Sequence, residues 1–197
     1  MASLSILEIY RTLQIENIAL LTVSDLRRRF IITQANTAYK TMQRLVAKGL
    51  LTRVQEGVYQ RSDRPVHDFV LANAMVTPSY VSLESALSRY GILSQAPMIV
   101  TSVTARKGRT METRTKTFEY AHLAPHLFTG YIKEADYVIA TPTKALFDAV
   151  YLAAKGARSV PVDELDLTAI DKKAFAGYCG AVRAPQLAEY LKAHPII

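Results

Sequence analysis

The stretch from Thr33 to Arg61 constrains the fold of this chain more than any other. Apolar residues recur at three- and four-residue spacing through its first half, which is typical of a helix with one buried face. Thr33 precedes this pattern as the predicted cap, and Gly49 follows it where a left-handed residue commonly ends a helix. Residues 50–54 and 58–61 then alternate around a turn. The sequence therefore predicts a polar, basic helix followed directly by a two-stranded hairpin.

The residues before this stretch complete a small domain. Residues 3–14 predict a helix that either Ser3 or Ser5 caps, and residues 15–21 predict a short connector or strand. A second helix, which either Thr22 or Ser24 caps, spans residues 23–30, and a turn at residues 31–32 leads into the helix after Thr33. Two helices, a turn, a third helix and a hairpin are the elements of a winged helix-turn-helix domain, which we expect over residues 1–64.

Charge is distributed unevenly along the 197 residues. Residues 1–64 hold ten lysines and arginines against five acidic residues, whereas residues 131–197 hold eight of each. The formal charge of +7 is therefore concentrated in residues 1–64, the predicted winged helix-turn-helix domain. This asymmetry favours a polyanion as the partner of the N-terminal domain.

The rest of the chain, residues 65–197, predicts a mixed α/β domain. Pro65 ends a polar linker, and a helix over residues 67–75 follows. We expect strands near residues 80–81, 98–104, 115–121, 127–132 and 137–140, with a basic hairpin loop over residues 105–113. Helices are predicted over residues 83–90, from Pro142 to about Lys155, and in two or three pieces after residue 160. The expected fold class is α+β, with a winged helix-turn-helix followed by this α/β domain.

Three segments together resemble a known family. They are the N-terminal domain ending in GVYQR, the segment YVSLESALSRYGIL at residues 80–93, and the segment IATPTKALFDAVYL at residues 139–152. In this order they resemble the AbiEi antitoxins, which are transcriptional regulators of type IV toxin–antitoxin and abortive-infection systems. The resemblance implies an N-terminal domain that binds inverted repeats in its own operator and represses the operon. It also implies a C-terminal domain that neutralises a nucleotidyltransferase-like toxin.

Candidate DNA contacts lie mainly on the predicted recognition helix. Asparagine and glutamine side chains can pair with adenine, lysine can reach guanine, and arginine grips phosphates. The base-contact candidates are Gln34, Asn36, Thr37 and Lys40. The phosphate-contact candidates are Arg27, Arg28, Thr33, Arg44, Lys48, Arg53 and Arg61. A polar helix face that serves only protein contacts is the alternative.

A second basic cluster comprises Arg106, Lys107, Arg109 and Arg114. It could contact flanking DNA or an acidic protein surface, or be a solvated hairpin tip. Ser82 and Ser85 predict helix capping, since no base or glycine elbow flanks them. Lys144 and Asp148, four residues apart on a helix, predict a surface salt bridge or part of a toxin-binding face.

Catalysis and cofactor binding have little support in the sequence. His122 and His126 would suit a metal only on a helix, which Pro125 opposes, and Cys179 predicts an inert thiol. We expect no cofactor, no enzymatic activity and no membrane partner. A single cysteine and no signal-peptide pattern predict a cytoplasmic protein. The alternative function is a ligand-responsive winged-helix regulator with a small-molecule pocket in residues 65–197.

Overall fold

The computed structural model describes residues 5–196, and within them it is an α+β protein of eight α-helices and nine strands. Two compact units divide the chain, the first ending at Met75 and the second beginning at Val76. The sequence predicted a boundary after residue 64, whereas the structure divides the chain after Met75. The helix over residues 68–75 therefore belongs to the N-terminal unit and not to the C-terminal one. Within residues 5–196, no helix combines the length and apolar character needed to cross a membrane.

Over residues 5–75, the N-terminal unit contains four helices and three short strands. In chain order they are α1 (Ile6–Ile15), β1 (Leu20–Thr22), α2 (Val23–Arg29), α3 (Ala35–Ala47), β2 (Leu51–Gln55), β3 (Val58–Arg61) and α4 (Asp68–Met75). The strands form an antiparallel sheet in the order β1-β3-β2. This element order agrees with the predicted sequence of helices, turn and hairpin.

Local capping explains where the first two helices begin. Ser5 accepts a hydrogen bond from the backbone of Glu8 while Glu8 bonds back to Ser5, and Thr22 and Asp25 form the same reciprocal box at α2. The prediction of Ser5 and Thr22 as caps is confirmed, whereas Ser3 lies outside the described residues. Gly49 ends α3 at φ 70° and Gly57 turns the hairpin at φ 78°, both in the left-handed region that favours glycine.

The prediction of Thr33 as the cap of α3 is wrong. Gln34 occupies the cap position, and no side chain there bonds to the helix backbone. The carbonyl of Thr33 instead accepts a hydrogen bond from the guanidinium of Arg27 at 2.8 Å. The chain enters α3 through Ile31, whose φ of 53° is left-handed.

One hydrophobic core holds the N-terminal unit together. Helices α1 and α2 each pack against α3, and α3 packs against β2. The buried core residues are Ile9, Leu13, Leu21, Val23, Leu26, Ala38, Met42, Leu45, Leu51 and Tyr59. Because α3 buries Ala38, Met42 and Leu45, its opposite face is left for solvent or a partner.

The C-terminal unit is built on a six-stranded mixed sheet. Its elements are β4 (Ser79–Val81), α5 (Leu83–Arg89), β5 (Val100–Thr104), β6 (Arg109–Glu112), β7 (Thr117–His122), β8 (Tyr131–Glu134), β9 (Tyr137–Ala140), α6 (Pro142–Ala154), α7 (Lys172–Gly180) and α8 (Pro185–Ala193). The strand order is β6-β7-β5-β4-β9-β8. Helix α6 packs against α5, α7 and α8, so it is the central helix of this unit.

The predicted hairpin that joins residues 98–104 to residues 115–121 is wrong in its pairing. Residues 109–112 form the edge strand β6, which pairs antiparallel with β7. Strand β7 then lies parallel to β5, with Val100 opposite Phe118 and Thr104 opposite His122. The basic segment therefore lies along the edge of the sheet as β6, within the connection that two parallel strands such as β5 and β7 require.

Candidate nucleic-acid interface

The outward face of α3 carries the polar side chains that the sequence predicted as base contacts. Its exposed polar and aromatic residues are Asn36, Thr37, Tyr39, Lys40, Gln43 and Arg44, and the exposed Gln34 precedes them. The helix contains no acidic residue. A face with amide, hydroxyl and ammonium groups and no carboxylate can donate to base edges and phosphates without repelling a polyanion.

The first turn of α3 adds backbone donors to this face. Since Gln34 makes no side-chain cap, no capping group occupies the N–H groups of residues 35–37. The first backbone bond into the helix runs from the N–H of Ala38 to the carbonyl of Gln34. Free N–H groups at a helix start, together with the helix dipole, favour an anion there.

Four cations around α3 have no acidic partner in the described part of the chain. They are Lys40, Arg44, Lys48 and Arg53, all exposed. By contrast, Arg28 pairs with Asp25 at 2.6 Å, and Arg29 pairs with Glu16. Unpaired cations are the ones that can replace counterions on a phosphate backbone at no cost in broken ion pairs.

A groove of about 450 Å³ lies between α3 and the hairpin. Tyr39 and Gln43 line it from α3, and Arg53, Glu56 and Tyr59 line it from the hairpin. Sequence reasoning did not select Tyr39, whose ring is 44% exposed. Its position one turn after Asn36 on the polar face was the available signal, since an outward aromatic is uncommon on a helix with an apolar stripe.

Arg61 is not available to a phosphate, and its prediction as a DNA contact is wrong. Its side chain is 8% exposed and donates to Asp63 at 2.9 and 2.7 Å. It also donates to the backbone carbonyl of Leu13 at 3.2 Å, and its guanidinium lies 5.7 Å from the ring centre of Tyr10. Arg61 therefore ties the end of the hairpin to α1.

Arg27 is exposed, but its guanidinium already binds backbone. Nε donates to the carbonyl of Ile32 at 3.3 Å and Nη2 donates to the carbonyl of Thr33 at 2.8 Å. Arg28, one residue later, points to solvent with a side chain that is 82% exposed. Thr33 is exposed at the turn before α3, and its hydroxyl remains a candidate phosphate contact.

The second basic cluster lies on the edge of the C-terminal sheet. Arg106 and Lys107 precede β6, Arg109 begins it and Arg114 follows it, and all four are exposed. No ion pair to any of the four is present among residues 5–196. The interpretation of this cluster as a DNA or protein contact stays a prediction.

Lys144 and Asp148 form a buried ion pair, so their prediction as a surface salt bridge is wrong. Both side chains are 0% exposed, and Lys144 Nζ contacts Asp148 Oδ1. The other carboxylate oxygen accepts from the Tyr80 hydroxyl at 3.0 Å and the Ser82 hydroxyl at 2.8 Å. Ser82 occupies the predicted cap position of α5, but its hydroxyl donates to Asp148 and so makes no capping hydrogen bond to the helix.

Aromatic rings complete the surroundings of this pair. The Lys144 ammonium lies 4.9 Å from the ring centre of Phe147, 5.7 Å from Tyr178 and 5.9 Å from Tyr80. Burial lowers the pKa of Lys144 and raises the pKa of Asp148, and the contact between the two groups opposes both shifts. Burial, and then the neighbouring Asp148, raise the pKa of Tyr80. Residues this deeply enclosed cannot form a toxin-binding face.

Ser85 was predicted to cap α5, and His122 was considered as a metal ligand. Ser85 exchanges hydrogen bonds with Thr101 at 3.0 and 2.8 Å, so it joins α5 to β5 rather than capping the helix. His122 ends β7, and its Nδ1 lies 2.8 Å from the carbonyl of Arg106. Across residues 5–196, no three His, Cys, Asp or Glu side chains are grouped so that they could hold a metal ion.

No family model matches the chain, and a search of curated proteins finds no significant match.

Proposed function

We propose that the N-terminal unit is a winged helix-turn-helix that binds double-stranded DNA sequence-specifically, with α3 in the major groove and the β2–β3 hairpin as the wing. The observation that carries this proposal is the outward face of α3, where Lys40 and Arg44 are exposed, unpaired among the described residues and free of neighbouring carboxylates on the helix. Asn36 and Lys40 lie one turn apart in the N-terminal half of α3, where recognition helices contact base edges.

The wing supplies the second half of the proposed contact. Arg53 on β2 faces the groove beside α3, so a phosphate strand that passes α3 would meet its guanidinium. Phosphate contacts give affinity and salt dependence, whereas contacts to base edges give specificity. We therefore assign specificity to Asn36 and Lys40 and general affinity to Arg44, Lys48 and Arg53.

The biological role we propose is that of a repressor that is also the antitoxin of a type IV toxin–antitoxin system, as in the AbiEi family. Its operator would contain inverted repeats, and bound protein would exclude RNA polymerase. The C-terminal unit would neutralise a nucleotidyltransferase-like toxin. The order of segments that resemble this family supports the role.

A titration of the full chain against DNA from upstream of its own gene tests the DNA-binding proposal. Asn36→Ala or Lys40→Ala should weaken binding by about 1–3 kcal/mol and relax the preference over a shuffled duplex. Arg53→Ala should weaken both duplexes alike and reduce the salt slope by about 0.9. Lys192→Ala, which removes an exposed charge in α8, is the matched control and should change neither. Equal binding by wild type and an Asn36→Ala/Lys40→Ala double variant would refute the assignment.

Co-expression with a neighbouring nucleotidyltransferase-like toxin tests the antitoxin role. A full-length Lys40→Ala/Arg44→Ala variant should lose repression of a reporter but still protect cells from the toxin. Loss of protection in a variant that is folded would contradict this division of labour. Failure of the wild-type protein to protect would reject the antitoxin role and leave the DNA-binding proposal standing.

A further inference from the structure

Arg27 joins the end of α2 to the residues directly before α3. Its Nε and Nη2 atoms donate to the successive carbonyls of Ile32 and Thr33 at 3.3 and 2.8 Å. Its own carbonyl accepts a third hydrogen bond, from the N–H of Ile32 at 2.9 Å. One residue of α2 therefore holds the turn by three bonds.

Phe30 and Ile32 pack against the hydrophobic core, but the backbone between Ile32 and α3 has few other restraints. Ile31 adopts a φ of 53°, which is sterically unfavourable for a β-branched residue, and it is 81% exposed. Gln34, at the cap position, adds no side-chain bond to fix the start of α3. The guanidinium of Arg27 thus satisfies two carbonyls that would otherwise depend on water, and it fixes the backbone from which α3 starts.

We infer that Arg27 is a positioning residue for DNA readout: by holding the carbonyls of Ile32 and Thr33, it sets where α3 begins and so where Asn36 and Lys40 meet the bases. The inference rests on the proposed DNA-binding function. Hydrogen bonds to base edges weaken steeply with distance and angle, so a shift of the helix start removes them. Contacts of flexible cations to phosphates tolerate the same shift.

A lysine at position 27 separates this role from that of a phosphate ligand. Lysine keeps the positive charge but lacks the planar fork with which Arg27 reaches two adjacent carbonyls. If the charge is what matters, Arg27→Lys preserves binding. If the fork is what matters, Arg27→Lys behaves as the uncharged Arg27→Met does.

The experiment compares these two variants of the full chain with Arg28→Lys and Arg28→Met. Arg28 is the matched control, because it lies on the same helix with its side chain 82% exposed and, among residues 5–196, its guanidinium pairs with Asp25 alone. Each protein is titrated with a duplex from upstream of its own gene and with a shuffled duplex, at several salt concentrations. Both Arg27 variants should lose the preference for the first duplex by about tenfold, and Arg27→Lys should keep the wild-type salt slope. The Arg28 variants should keep the preference, because a phosphate contact, for which Arg28 is a candidate, carries no sequence information.

Wild-type-like binding by Arg27→Lys, with a loss of about 0.9 in salt slope for Arg27→Met, would overturn the inference and make Arg27 a phosphate ligand. Hydrogen exchange without DNA provides an independent measurement. The amides of Ile32 and Ala38, which donate to the carbonyls of Arg27 and Gln34, should exchange faster in both Arg27 variants than in the Arg28 variants. Unchanged exchange would also overturn the inference.

Failure of the proposed function has a different signature. Wild-type protein would then bind the two duplexes equally, which rejects the role of Arg27 in DNA readout together with DNA specificity itself. The exchange measurement would still report whether Arg27 holds the turn.

Discussion

Replacing Asp148 by asparagine should destabilise the C-terminal unit far more than removal of an ordinary surface charge. The carboxylate is fully buried, contacts the Lys144 ammonium and accepts hydrogen bonds from Tyr80 and Ser82. Asparagine keeps an oxygen for the two hydroxyls but leaves the ammonium buried and uncompensated. Breaking a buried pair in this way costs about 3–5 kcal/mol. Nearby aromatic rings offset only part of that cost.

The reverse change and the double variant isolate the coupling between the two charges. Lys144→Met leaves a buried carboxylate with two hydroxyl donors and should also cost about 3–5 kcal/mol. The double variant Lys144→Met/Asp148→Asn removes both charges and keeps an acceptor for Tyr80 and Ser82. Its remaining cost is that of imperfectly satisfied amide hydrogens, about 1–3 kcal/mol. It should therefore be more stable than either single variant.

Urea unfolding at neutral pH, followed by far-ultraviolet circular dichroism, measures these differences. The chain has 11 tyrosines and no tryptophan, so the near-ultraviolet tyrosine signal can report tertiary packing in parallel. Glu134→Gln is the control, because the Arg89–Glu134 pair has side chains that are 48% and 30% exposed and should be worth less than about 1 kcal/mol. A double variant that loses the sum of the two single losses would refute the buried pair as a coupled unit.

Three further predictions concern the N-terminal unit. The hydrogen bonds from Arg61 hold the pKa of Asp63 below its ordinary value, so their stabilising effect is present above that value and is lost as the pH falls. Because the Asp63 side chain is 42% exposed and its charge is screened by solvent, wild type should lose only about 0.5 kcal/mol more than Asp63→Asn between pH 5 and pH 3 in urea unfolding. Equal losses by the two proteins would contradict this pH dependence. Ile31→Asn should raise the free energy of unfolding by about 1 kcal/mol, since asparagine tolerates the left-handed φ of 53° better than isoleucine does. The substitution loses little packing, because Ile31 is 81% exposed. A lower free energy of unfolding for the variant would show that the turn is not strained. Glu56→Gln should strengthen DNA binding about twofold to threefold, because roughly 0.5 kcal/mol of repulsion acts between a carboxylate and a phosphate about 8 Å apart in water. Unchanged affinity in a titration would place the hairpin tip away from the DNA.

Features set by neighbouring residues were predictable from the sequence. The caps Ser5 and Thr22 and the glycines Gly49 and Gly57 act within three or four residues of their own position. A short segment of sequence is therefore enough to predict them. Thr33 had the same local chemistry, yet a side chain from the previous helix decided the cap position instead.

Features set by packing were not predictable in the same way. A Lys–Asp pair four residues apart has one pattern whether its helix face meets water or the centre of a fold. The available signal was the rest of α6, which is apolar on nearly every side and is therefore typical of a buried helix. Arg61 had a comparable signal, since alternation along β3 puts it on the same side as the buried Tyr59.

The order of the strands could not come from the sequence. The pattern of residues 98–121 fits an antiparallel hairpin as well as it fits two parallel strands, β5 and β7, with β6 at the sheet edge between them in the chain. What decides between them is which neighbours bury β5 and β7 in the middle of the sheet. The position of the cluster at Arg106 and Arg109 on an edge strand follows from that choice.

Two of the three segments behind the family resemblance meet at the buried pair, because Tyr80 and Ser82 belong to one and Lys144 and Asp148 to the other. These segments therefore concern interior packing, and under the proposed antitoxin role a surface for a toxin would be formed by other residues. If so, variants of the pair should lower toxin neutralisation only in proportion to the unfolded fraction. Lys40→Ala, on an exposed helix face, should lower repression in a fully folded protein. Measuring both activities beside the free energy of unfolding separates a residue that maintains the fold from one that contacts a partner.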